Sequence, residues 1–150
     1  MSEAKGPSVA SAVRRHMLFG WSALLVFITL GTALEALHGL KAEAYLGVGN
    51  ETRRLMWTLA HAHGIGLSLL HIAFGATLRA LFETLPRRLA TASGLLSWGS
   101  VLVPVGFFLG GTVTYGGDPG VGVFLVPLGA TVLFVAVALV AYEIVHTRAG

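Results

Sequence analysis

The sequence predicts an all-α integral membrane protein: a four-helix bundle, antiparallel and up-down-up-down, with both termini in the cytoplasm. Three observations carry that expectation. Charged residues make up 11% of the 150 positions and apolar ones 55%, whereas a soluble chain of this size carries about 25% charged residues. Mean hydropathy is +0.78, and the 20 glycines suit membrane helices, where glycine is more frequent than in soluble ones. Cutting the chain at every Asp, Glu, Lys and Arg leaves four long uncharged stretches: Met17 to Leu34, Leu55 to Leu78, Leu89 to Gly117 and Pro119 to Tyr142.

Each stretch is long enough to span, since a hydrocarbon core about 30 Å thick needs about 20 helical residues. The predicted spans are 17–38, 55–80, 91–113 and 121–143, within one transmembrane domain at 17–146. Residues 1–16 (MSEAKGPSVASAVRRH) form a cytoplasmic segment that turns basic, and 147–150 a short tail. A cleaved signal peptide is the competing reading of the first stretch, but its apolar run is long for one and no small-x-small cleavage site follows. Short connections make consecutive helices antiparallel neighbours. Gly110 to Gly122 is rich in glycine but lacks the Lys-Ser/Thr of a phosphate loop. It reads as a turn in which Asp118, Pro119 and Gly120 reverse the chain and Pro119 begins the last helix.

Basic residues set the orientation. Lys5, Arg14, Arg15, Arg79, Arg87, Arg88 and Arg148 fall on one side, and Lys41, Arg53 and Arg54 on the other. The positive-inside rule then places both termini in the cytoplasm, in an inner membrane of prokaryotic type. With no cysteine, disulfides, thiolate metal sites and cysteine nucleophiles are excluded. The bilayer is the expected partner, with further copies of the chain or a membrane complex, and nothing points to nucleic acid.

Titratable groups inside a span are costly and mark the default places to seek function. Here they are Glu35 and His38 at the outer end of the first helix, and His61, His63 and His71 in the second. At about 100° per residue, Trp57, His61, Gly64, Ser68, His71 and Gly75 lie within about an 80° stripe. Small residues alternate with histidines along it, the pattern of a closely packed face. His63 points about 160° away from His61, toward another helix, a neighbouring subunit or the headgroups. In the first helix Gly20, Gly31, Glu35 and His38 share a face. In the third, Ser93, Ser97, Ser100, Pro104 and Gly111 form one line, with Pro104 leaving the Ser100 carbonyl without its intrahelical donor.

Glu35 and His38 have the Glu-x-x-His spacing of carboxylate-bridged metal sites, and helix ends bring Glu35, His38 and His61 to a common level. The leading expectation is therefore a metal or haem site near the outer face with a redox or metal-dependent role. Glu35, His38, His61 and His63 would be the metal residues, and His38, His61 and His71 the cofactor-binding ones. Imidazole and carboxylate without thiolate suit zinc, iron, manganese or copper(II), and haem b is the cofactor alternative. No catalytic residue is singled out. Two other readings stand beside it: an accessory or self-assembling bundle in which the cluster is structural, with Glu35 paired to a histidine, Arg53 or Arg54 and His71 bonded to Ser97 or Ser100; and a proton or solute pathway with His61 and His71 as stations. That last reading lacks a titratable group to carry the line on to the cytoplasm. His16 and His146 are expected to be ordinary interface residues, Trp98 either a belt residue or packed inside, and Asn50 the N-cap of the second span.

Overall fold

The computed structural model describes residues 8–147. Lys5, Arg148, the start of the segment 1–16 and most of the tail 147–150 lie outside them. Four long helices are each long and apolar enough to cross a membrane: α1 (Val9–Gly39), α3 (Glu51–Leu81), α4 (Arg87–Thr112) and α5 (Leu125–His146). A short α2 (Glu43–Leu46) sits in the first connection, and one 3-10 turn, Val121–Phe124, leads into α5. The described residues contain no strand.

Local chemistry accounts for the boundaries. Ser8 caps α1 by accepting from the Ser11 amide at 3.2 Å, so the helix begins eight residues before the apolar stretch and takes His16 into its body. It ends at Gly39, and two residues on Lys41 has a φ of 53°, in the left-handed region that cannot continue a helix. Asn50 occupies the N-cap of α3, but its side chain does not cap; its amide donates instead to the Glu43 carbonyl at 3.1 Å, tying α2 to α3. The α4–α5 reversal falls at Gly116 and Gly117, with φ of 56° and 99°, between the mutually bonded Tyr115 and Asp118. Two successive positive φ values are the backbone of a tight two-residue hairpin, and glycine adopts them without strain. This corrects the expectation that Asp118, Pro119 and Gly120 make the turn and Pro119 opens the helix: the first helical residue is Val121.

The helices pack in sequence, α1 on α3, α3 on α4 and α4 on α5. Contacts descend one helix as they climb the next: Gly20 meets Ser68 and Ile72, and Gly31 meets His61. α3 and α4 are central. α1 and α5 are edge helices with large apolar side chains turned outward, among them Leu25, Val26, Phe134 and Val145. Trp98 is 68% exposed, so it faces outward rather than packing inside. The buried apolar cluster, with Phe74, Leu78, Leu89, Leu96 and Ala136, lies toward the end that carries Arg79, Arg87 and Arg88, here the basic end. At the opposite end Arg53 donates to the Ala44 and Gly111 carbonyls, and Arg54 to that of Tyr45. The Tyr45, Trp57 and Phe108 rings stack beneath them.

Candidate functional site

Two polar regions occupy the two ends of α1 and α3. The first is a fully buried chain of side chains near the basic end. His16 of α1 and His71 of α3 are both 0% exposed, and their Nδ1 atoms are 2.8 Å apart. At that distance one ring donates and the other accepts. His16 Nε2 is 2.6 Å from Ser93 Oγ, and His71 Nε2 is 3.1 Å from Ser100 Oγ, both serines being buried on α4. The exposed Arg15 reaches in and donates to Ser93 Oγ. Phe19 stacks on the His71 ring at 4.1 Å, and the Phe74 ring meets His16 edge-on at 4.7 Å.

All four ring nitrogens are thus hydrogen-bonded, as burial without water requires. Two arrangements of the hydrogens satisfy all four ring nitrogens. In one, Ser93 donates to His16 Nε2, His16 Nδ1–H donates to His71, and His71 Nε2–H donates to Ser100. In the other, Ser100 donates to His71 Nε2, His71 Nδ1–H donates to His16, and His16 Nε2–H donates to Ser93. Arg15 donates to Ser93 in both, since a guanidinium has no acceptor. Passing one proton along the chain converts the first arrangement into the second.

The second region is an open groove of about 910 Å³ at the opposite end, and Glu35, His38 and His61 all line it. Sequence reasoning brings these three to one level, and the groove is where they meet. They are not held together, however. Glu35 and His38 are exposed and His61 half-buried. Among the described residues no three His, Cys, Asp or Glu side chains stand close enough to hold a metal ion. His61 donates its Nδ1–H to the Phe27 carbonyl at 2.8 Å, which leaves Nε2 with a bare lone pair, and its ring lies over Gly31, where a Cβ would collide with it. The pairing of Glu35 with Arg53 or Arg54 is not formed, because those guanidinium groups are bonded to carbonyls.

His63 is exposed, bonds the Leu59 carbonyl of its own helix at 2.9 Å and packs on Phe107 of α4, on the other side of α3 from His61. His71 meets Ser100 rather than Ser97, which bonds the Ser93 carbonyl, and it has no ring nitrogen left over for a cofactor. His16 is the residue that sequence reasoning missed: it is a buried partner of His71 and not an ordinary interface residue. A signal was present, because His16 is four residues before Gly20 and so lies on the glycine face that packs against α3. Its place beside two arginines disguised it as a helix end. Compared with protein-family models, curated proteins and solved structures, the chain gives no match.

Proposed function

We propose that this chain is a proton pathway in an inner membrane of prokaryotic type, with both termini cytoplasmic and His16 and His71 as its exchange element. The observation that carries the reading is the Nδ1 to Nδ1 hydrogen bond of 2.8 Å between two buried histidines, flanked by a serine hydroxyl on each outer nitrogen. A neutral imidazole donates from one ring nitrogen and accepts at the other, so it can take a proton on one side and release one on the other without keeping a charge. A hydrogen-bonded chain with two equivalent arrangements offers a route for one proton at little reorganisation. His16 supplies the proton-relaying group toward the cytoplasm that the α3 stripe lacks, and Arg15, whose guanidinium keeps its proton, is a fixed positive charge bonded to Ser93 at its entrance. Toward the other side, Ser68 lies on the same stripe between His71 and His61, and His61 opens into the groove lined by Glu35 and His38.

Reconstitution into liposomes tests this. Wild-type protein should collapse an imposed pH gradient faster than protein-free vesicles. His71→Gln and His16→Gln, which keep hydrogen-bonding capacity but cannot exchange a proton between two ring nitrogens, should fall to the protein-free rate while remaining folded. Equal rates for wild type and empty vesicles, or full activity in both variants, would contradict the reading.

A second reading, a transition-metal ion in the outer groove, has one observation in its favour: a metal-ligating histidine donates its other ring N–H to a carbonyl or carboxylate, and His61 does so to Phe27. Glu35 and His38 would have to rotate in to complete such a site. Bound zinc, iron or copper near one equivalent, lost in His61→Ala, is the expected result; metal-free protein after purification in metal-supplemented medium removes it.

A further inference from the structure

Away from both polar regions, two open grooves adjoin on the face shared by α4 and α5. One, of about 410 Å³, lies at the basic end and is lined by Arg87, Arg88, Thr91 and Glu143. The other, of about 500 Å³, runs on along α5 past Phe134, Val135 and Ala138. Arg88 and Leu139 line both, so polar and apolar parts form one continuous trough. From Glu143 to Phe134 it extends nine residues, roughly 13 Å at about 1.5 Å per residue.

The chemistry of the polar part is specific. Arg88 lies over the Tyr142 ring, 4.7 Å from its centroid, and its Nη1 is 3.6 Å from Glu143 Oε2. That distance neutralises the carboxylate but is beyond hydrogen-bond reach. Oε2 itself is buried and has no hydrogen-bond donor among the described residues. The two guanidinium groups and the one carboxylate leave a net positive charge, together with one acceptor in want of a donor. Below it the walls are wholly apolar, with Phe134 76% exposed.

We infer that this trough binds an anionic glycerophospholipid whose headgroup carries a hydroxyl. Its phosphate lies against Arg87 and Arg88, a headgroup hydroxyl donates to Glu143 Oε2, and an acyl chain follows the apolar wall between Leu139 and Phe134. Basic pockets between membrane helices on the cytoplasmic side are suited to anionic headgroups, and here the apolar continuation commits the occupant to a lipid rather than a free phosphate. The inference does not depend on the proton pathway.

Native mass spectrometry of the full-length, detergent-solubilised chain tests it, with phosphatidylglycerol and phosphatidylcholine titrated separately. Phosphatidylglycerol should bind tighter, by about fivefold for each arginine that meets the headgroup. Arg87→Gln with Arg88→Gln should erase the preference. Ala138→Trp, which fills the trough without altering charge, should weaken binding of phosphatidylglycerol while both arginines remain. Equal binding of the two lipids by the wild type, a preference that survives the double substitution, or glycerol phosphate without acyl chains competing as well as the whole lipid would each overturn the assignment.

Discussion

The two ends of the α1–α3 pair use the same residue types under opposite rules. Near the basic end, His16 and His71 are sealed from solvent, and every ring nitrogen has a partner. At the other end His61 is tied by one nitrogen to a backbone carbonyl, and Glu35 and His38 stand exposed around an open groove. The difference lies in solvent. A polar group at headgroup level can leave valences to water, so sequence spacing alone does not force such groups together. A polar group within the hydrocarbon cannot, and an unpaired one costs several kcal/mol, so His16 and His71 must find each other or a serine.

That contrast predicts where substitution hurts. The largest effect should come from His71→Ala, which strands His16 Nδ1 and Ser100 Oγ at about 1–3 kcal/mol for each buried group left without a partner. His61→Ala should cost far less, near the average of about 0.6 kcal/mol for a hydrogen bond between membrane helices, because its ring already meets the groove. Reversible unfolding in bicelles compares the two, and a costlier His61→Ala would break the contrast. Smallest of all, Glu35→Gln with His38→Gln should stay within about 0.5 kcal/mol of wild type, as surface substitutions do. A destabilisation of several kcal/mol there would reveal a cluster more tightly held than the groove implies.

Much of this fold was legible because charge is scarce: the four uncharged stretches correspond to the cores of α1, α3, α4 and α5. The α3 stripe was legible because a helix repeats every 3.6 residues, and Gly64, Ser68, His71 and Gly75 are all buried. The site was legible only in part. Cutting the chain at charges hid His16, since a helix in a membrane continues past the last uncharged residue into the interface, where Arg15 can extend outward or turn in to Ser93. The hairpin at Gly116 and Gly117 was misplaced because Asp-Pro-Gly carries turn chemistry too, and only the observed φ values choose between them. Whether Glu35, His38 and His61 converge depends on side-chain rotation in an open groove, which helical periodicity does not encode.

The chemistry of the basic end rests on the one hydrogen bond that His16 and His71 share through their Nδ1 atoms. Solid-state NMR of protein labelled with ¹⁵N-histidine, in lipid bilayers, addresses it directly. One protonated and one bare Nδ1 should be coupled across that bond, with the coupling absent in His71→Gln. Two uncoupled imidazoles in the wild type, or two cationic ones at neutral pH, would contradict it.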